Sequence, residues 1–283
     1  MKKNLFLMIG AIAALVLLAL MSVPMRKAQG QEITSESATT VDFVAPLVFQ
    51  AAGPSAASIQ SSVAEYRLAL GDPNNRNDTS KDSGRREINW DGAAGNLDTA
   101  TGGNPFTNFQ ITRGALITTP DGVGFVQATP DGLAAHFGNP TYATAFRAFS
   151  PFRLFTAIGG RITEVDFTLP GDSTVAATTN GFGVVFTDVD HPDGSGPGGK
   201  HGNRKSSTLI EYFGANGELL FSSFVPASPG DGGQSFFGVK FPDARIARVR
   251  ITNGDVAPGP DDDQKLDVVM MDDFIYGEPK ALR

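Results

Sequence analysis

The segment that decides the fold is Thr163–Leu169, which reads TEVDFTL. Apolar and polar side chains alternate strictly along it, so valine, phenylalanine and leucine share one face while the acids and Thr168 share the other. Successive side chains of a β-strand point to opposite faces. The segment is therefore typical of a strand with one buried face.

The segments around it have the same character. Gly183–Val189 is almost continuously apolar, as expected for a strand buried on both faces. Thr208–Phe213 and Glu218–Val225 flank Asn216-Gly217, a strong hairpin signal. Strands at this density predict a mainly β protein, an antiparallel β-sandwich of jelly-roll type. The further predicted strands are residues 106–111, 115–118, 124–127, 235–241, 245–252 and 267–276.

One N-terminal helix is predicted over residues 56–70, where apolar side chains recur every three or four positions. Gly71 and Asp72-Pro73 end it. The predicted organisation is a tether or edge strand over residues 31–53, a single β-sandwich domain over 54–278 and a tail over 279–283.

Residues 1–30 have the layout of a secretory signal peptide. Two lysines precede the apolar run Leu5–Val23, and small residues stand at Ala28 and Gly30. The alternative is an uncleaved anchor, which would make this segment the protein's one contact with a membrane. In either case we expect a secreted or extracytoplasmic protein, in the periplasm or at the cell surface.

Composition excludes several classes of function. The 283 residues carry a formal charge of −7 and contain no cysteine. A disulfide scaffold, a thiol nucleophile and a cysteine zinc site are therefore excluded. Removal of residues 1–30, with their four cations and no acids, would leave a charge of −11. So acidic a chain argues against nucleic acid as a partner.

A first acidic segment follows the apolar strand at 183–189. Asp188, Asp190 and Asp193 are closely spaced oxygen donors, and Gly194 permits a sharp turn. Calcium takes six to eight oxygen ligands in a flexible cage, so this loop suits it. The alternative is a solvated turn, in which aspartate and glycine are common.

A second acidic cluster lies near the C-terminus. Regular alternation within the last strand would send Asp272 and Asp273 to opposite faces, so that one of them points inward. A carboxylate facing a core needs a cation or several donors. We therefore predict either a structural ion at this pair or a partnership with backbone amides or arginine. The other members of this cluster are Asp255, Asp261, Asp262, Asp263 and Asp267.

Trp90 is the only tryptophan, and Asn89 and Asp91 stand beside it. One interpretation is a ligand-binding site, in which the indole stacks on a sugar face while the neighbours orient hydroxyl groups. The other is a core anchor followed by a turn at Asp91-Gly92.

Residues 246–251, IARVRI, and 270–277, MMDDFIYG, resemble the closing strands of secreted bacterial jelly-roll proteins. These include carbohydrate-binding-like and galactose-binding-like domains and exported proteins with a PEP-CTERM tail. The resemblance covers residues 163–277. It implies a β-sandwich in which the acid of the DDF motif helps to hold a structural calcium. The sequence after Gly277 has no terminal apolar helix, so we expect the sorting tail to be absent.

These features predict an exported, non-enzymatic β-sandwich that binds a glycan or cell-surface ligand, with calcium ordering its loops. One alternative is an extracellular polysaccharide hydrolase that uses paired carboxylates. Another is a structural surface or matrix protein without a ligand. The sequence contains neither the GxSxG nucleophile motif nor the HExxH zinc motif.

Overall fold

The alternating and apolar segments pair into two antiparallel sheets that enclose a shared core, which confirms the predicted β-sandwich. The computed structural model describes residues 45–92, 97–191, 208–260 and 266–282. All of them belong to one structural unit, Phe43–Arg283. The predicted signal segment, residues 1–30, and residues 31–44 lie outside the described residues.

The described strands are, in chain order, β1 (Leu47–Gly53), β2 (Arg85–Ile88), β3 (Ala100–Gly102), β4 (Ala115–Thr118), β5 (Gly124–Ala128), β6 (Leu154–Ile158), β7 (Ile162–Leu169), β8 (Asp172–Thr178), β9 (Gly181–Thr187), β10 (Leu209–Phe213), β11 (Leu219–Phe224), β12 (Gln234–Lys240), β13 (Arg248–Thr252), β14 (Met270–Gly277) and β15 (Lys280–Ala281). Sheet 1 has the order β1-β12-β9-β14-β6-β5-β3, with β2 also paired to β14. Sheet 2 has the order β11-β10-β13-β7-β8-β15, with β4 also paired to β7.

The described helices are α1 (Ala56–Leu70), α2 (Gln110–Arg113), α3 (Pro130–Phe137) and α4 (Tyr142–Ala145). They cover much of the outer face of sheet 1. Ile59, Val63 and Tyr66 of α1 pack on Val185 of β9 and Ile275 of β14. Side chains of α3 and α4 pack on β5 and β6 in the same way. This cover explains why the central strands of sheet 1 are apolar on both faces.

Sheet 2 has a different outer face. Val249 and Ile251 of β13 are fully buried between the sheets, whereas Arg248 and Arg250 alternate with them on the other face and retain exposure. Such alternation is expected of a sheet with one solvated face. Within the described residues, no helix has the length and apolar character needed to cross a membrane.

The segment predicted as a strand over residues 106–111 is not one. Phe106 forms a single β-bridge with Ile117, and α2 begins at Gln110. Phe106 and Phe109 both contact Trp90, so the chain turns around the indole ring between these two residues.

The C-terminal residues also contribute to the sandwich. β15 pairs with β8, so the segment predicted as a tail contains a short strand. Just before it, Glu278 forms a fully buried ion pair with Arg86 at 2.7 Å. Arg86 also donates to the carbonyl groups of Asn77, Thr79 and Thr112, which attaches the polar loop after α1 to the sheet.

Candidate functional site

Trp90 lies in the core, the second of its two interpretations. Its side chain is 1% exposed, and its ring stacks on Phe155 with the centroids 3.7 Å apart. The indole Nε1 donates to the carbonyl oxygen of Asp272 at 2.9 Å. The ring therefore has no face open to a sugar, and its polar atom is already used.

The neighbours of Trp90 hold this loop together. Asn89 is exposed and donates through Nδ2 to Asp91 at 3.1 Å. Asp91 is buried and accepts a hydrogen bond from the amide of Arg153 at 3.0 Å. Burial raises the pKa of Asp91, while Arg153 and Ser150 act in the opposite direction. These contacts give Asp91 a structural role.

Asp272 and Asp273, here called the bulge acids, occupy a β-bulge. Between Met271 and Phe274, β14 advances three residues while its partner β9 advances two, from Phe186 to Val184. The extra residue breaks the alternation. Met271 and Phe274 both belong to the core between the sheets. The prediction that the two acids take opposite faces, one of them pointing into this core, is therefore wrong.

Donors from the chain surround both bulge acids. Asp272 accepts from the amides of Phe149 and Ser150, at 2.6 and 3.2 Å, and from the Ser150 hydroxyl at 3.0 Å. Asp273 accepts from Arg67 of α1 at 2.9 Å, and Arg67 also pairs with Glu87 at 2.8 Å. One oxygen, Asp273 Oδ1, has no hydrogen-bond partner. The structure thus shows amides, a hydroxyl and an arginine as partners of this pair.

Burial is the main cause of the raised pKa values of the two bulge acids. The side chain of Asp272 is 1% exposed, and desolvation together with the charge of Asp273 raises its pKa well above the usual range. Desolvation also raises the pKa of Asp273, against the attraction of Arg67. Two adjacent buried carboxyl groups rarely ionise together. A neutral Asp272 can lie beside an ionised Asp273 that Arg67 stabilises.

The other predicted calcium ligands have separate surroundings. Asp188 follows β9 with a left-handed backbone, φ 71°, and its amide donates to Gly233. Asp190 accepts from the amide of Gly230 at 2.8 Å. These two contacts lie just before β12, whereas the contacts of the bulge acids described above come from α1 and from Phe149 and Ser150. Asp193 lies outside the described residues.

Asp190 instead contacts Asp267, which in turn contacts Asp255, and we call these three the loop acids. The amide of Asp190 donates to Asp267 Oδ1, and the amide of Asp267 donates to Asp255 Oδ2, both at 3.4 Å. The backbone of Asp255 donates to the Asp267 carbonyl at 2.6 Å. Gly254 makes this approach possible, because its φ is 49° and a Cβ there would collide with the Asp267 carbonyl. The two acids are thus held together by their own backbones.

Asp255 and Asp267 are buried and Asp190 is half-buried, and none of the three has a cationic partner among the described residues. The exposed fractions are 2% for Asp267 and 5% for Asp255. Asp267 Oδ2 and Asp255 Oδ1 have no hydrogen-bond partner. Desolvation, with the charges of Asp190 and Asp255, raises the pKa of Asp267 to about 8, against hydrogen bonds from the amides of Asp190 and His191. No ion pair between described residues reaches any of the three.

Sequence reasoning placed Asp255 and Asp267 in an acidic cluster but did not select them as ligands. They are twelve positions apart, and the local pattern around each is that of a turn. The available signal was a pair of acids at the two ends of a Pro/Gly-rich loop, with Gly254 beside the first. A search of the described residues finds no group of three or more acidic, histidine or cysteine side chains arranged to hold a metal ion.

The outer face of sheet 2 carries a groove of about 290 Å³. Phe213 of β10 lies at its side, with the guanidinium of Arg250 6.0 Å from its ring centroid. Arg248 pairs with Asp166 at 2.7 Å and Arg250 with Glu164 at 2.5 Å, across β13 and β7. These pairs fix the charged groups beside an aromatic ring that remains partly exposed.

Comparison of the chain with models of protein families, with curated proteins and with solved structures gives no match.

Proposed function

We propose that the protein is an exported carbohydrate-binding module that takes a glycan into the groove on the outer face of sheet 2. The observation that carries this proposal is the composition of the groove. Phe213 offers a partly exposed ring, and paired arginines and carboxylates border it. Aromatic rings pack against the apolar faces of sugars, and planar charged groups hydrogen-bond neighbouring hydroxyls in fixed geometry.

The position and size of the groove support the same function. It lies on a sheet face with alternating burial, whereas helices cover much of sheet 1. Its volume of about 290 Å³ is close to the lower end of the range of small-ligand sites, roughly 300–1,000 Å³. One or two sugar rings of a longer chain would occupy it.

The charges favour a neutral glycan. Each arginine that lines the groove is paired with a carboxylate, so the charges beside the groove cancel. The whole chain has a net charge of −7. A polyanionic polymer would meet repulsion from the acidic surface. Export, which the apolar segment at the N-terminus predicts, would bring the module to glycans of a cell surface or of the environment.

A glycan array probed with the purified protein, followed by titration of the best neutral oligosaccharide, tests this function. We expect Phe213→Ala to weaken binding at least tenfold, because stacking on an aromatic ring contributes more than the area it buries. The matched control is Phe224→Ala on the edge strand β11, whose ring is 41% exposed and does not line the groove.

Three results would contradict the proposal. The first is the absence of binding to any glycan, as expected for a purely structural protein. The second is equal binding by the Phe213→Ala and Phe224→Ala variants. The third is release of new reducing ends from a bound polymer, which would identify a hydrolase.

A further inference from the structure

We propose that the loop acids form a calcium site, with Asp255 and Asp267 as the buried ligands and Asp190 as the acid beside them. The site differs from the predicted ones, because two of its three members come from the loop between β13 and β14. It also does not depend on the glycan groove, which lies on the outer face of sheet 2.

The first support is the number of acceptor atoms without donors. Asp267 Oδ2 and Asp255 Oδ1 are buried and have no hydrogen-bond partner. Asn253, two residues before Asp255, adds a third buried oxygen of this kind, and its side chain is 3% exposed. Buried polar atoms nearly always have a partner, so the free carboxylate oxygens of Asp255 and Asp267 call for a ligand that accepts lone pairs.

The second support is the charge. Asp190, Asp255 and Asp267 have no ion pair with any described residue, and the nearby Arg161 donates instead to the carbonyl of Gly254. A divalent cation would offset the repulsion among these carboxylates and stabilise all three ionised groups together.

The chemistry of the donors favours calcium over other metals. The loop acids offer oxygen as the ligand atom, and calcium combines carboxylates with backbone carbonyls and waters at 2.3–2.6 Å. The described residues supply two free carboxylate oxygens, because Asp190 Oδ1 is engaged by Gly230. Carbonyl groups and water can complete the shell, so three converging side chains are not required. Magnesium demands a tighter octahedron and gives up its water less readily.

Thermal unfolding of the full chain in EGTA and in millimolar CaCl₂ tests the site. At a calcium concentration a hundred times Kd we expect the midpoint to rise by roughly 5–10 °C, if only the native state binds. Asp255→Asn and Asp267→Asn should each abolish most of this rise. Both substitutions keep the size of the side chain and its acceptor oxygen, and both reduce repulsion, so the variants should fold in EGTA.

The matched controls are Asp272→Asn in the bulge and Asp172→Asn on an exposed turn, and both should keep the full rise with calcium. The proposal is overturned if calcium leaves the midpoint of the wild-type chain unchanged. It is equally overturned if the rise persists in both Asp255→Asn and Asp267→Asn, or if magnesium at the same concentration produces the same rise.

Discussion

The bulge acids and the loop acids are two groups of buried aspartates with opposite surroundings. Asp272 and Asp273 meet two amides, a hydroxyl and the guanidinium of Arg67. Asp255 and Asp267 meet each other, Asp190 and a few backbone amides, with two oxygens left over. Both bulge acids, and Asp255 and Asp267 among the loop acids, are less than a tenth exposed. Burial of an acid therefore does not identify a ligand site, whereas the supply of donors around it does.

The comparison also separates two ways of stabilising a buried charge. Around the bulge acids the chain supplies its own cation and donors, which leave a single oxygen, Asp273 Oδ1, without a hydrogen-bond partner. Around the loop acids the described residues supply carboxylates and no ion-paired cation, and a bound cation would convert their repulsion into attraction. We therefore expect mutation of the partners of the bulge acids to lower the stability of the protein, and calcium binding at the loop acids to raise it.

The largest effect should follow removal of the cation at the bulge. Arg67→Met leaves Asp273 and Glu87, whose side chains are 3% and 12% exposed, without their shared partner. Because a buried carboxylate then loses its compensating charge, we expect a loss of about 3 kcal/mol in the free energy of unfolding, measured with urea. Arg245→Met is the matched control: its partner Asp243 is 60% exposed, and the loss should be below about 1 kcal/mol. Equal losses would contradict the account of the bulge.

A smaller effect should follow loss of the acceptor at Asp272. Asp272→Ala leaves the amides of Phe149 and Ser150 without a partner, so we expect a loss of about 2 kcal/mol. Asp272→Asn keeps an oxygen for these amides and should recover most of the stability. Urea denaturation of both variants checks this prediction. An asparagine variant as unstable as the alanine variant would show that Asp272 stabilises the fold through its charge and not as a hydrogen-bond acceptor.

The last effect concerns pH, and it is the smallest of the three over any one pH unit. The pKa of Asp272 is raised in the folded state, so above the pKa of about 3.9 in the unfolded chain the native state holds a proton that the unfolded state has lost. Stability conferred by this group is complete below that value and falls as the pH rises towards the folded pKa, by at most about 1.4 kcal/mol per pH unit. Asp273, Arg67 and Glu87 face the same region and moderate the slope.

Unfolding midpoints measured between pH 4 and 8 should therefore decline less steeply in Asp272→Asn than in the wild-type chain. In the control Asp172→Asn, hydrogen bonds from Thr174 lower the pKa of an exposed group, so its removal cannot flatten the decline. A slope unchanged by Asp272→Asn would show that this carboxyl group titrates normally.

The fold could be predicted from the sequence because its signals are local. Alternation along Thr163–Leu169, the apolar run of β9, the Asn216-Gly217 turn and the helical spacing of α1 each follow from neighbouring residues. The short helices α2 to α4 escaped prediction. In α3, Thr129 caps the helix and Pro130 begins it, but its few apolar residues resemble those of a turn.

The candidate site could be predicted only in part, because partners come from distant residues. The sequence identified Asp272 and Asp273 as acids in need of partners, but the bulge that redirects them is a property of the pairing with β9. Trp90 was placed correctly by the second interpretation alone, since the rings around it are scattered along the chain. The meeting of Asp190 with Asp255 and Asp267 depends on two loops, one after β9 and one between β13 and β14, that only the folded sandwich brings together.

A crystal structure grown in calcium, with anomalous differences recorded at a long wavelength, tests the central contrast most directly. The account predicts a calcium peak 2.3–2.6 Å from Asp255 Oδ1 and Asp267 Oδ2, and none at the bulge acids. A peak at Asp272 or Asp273, or water alone between Asp255 and Asp267, would contradict it.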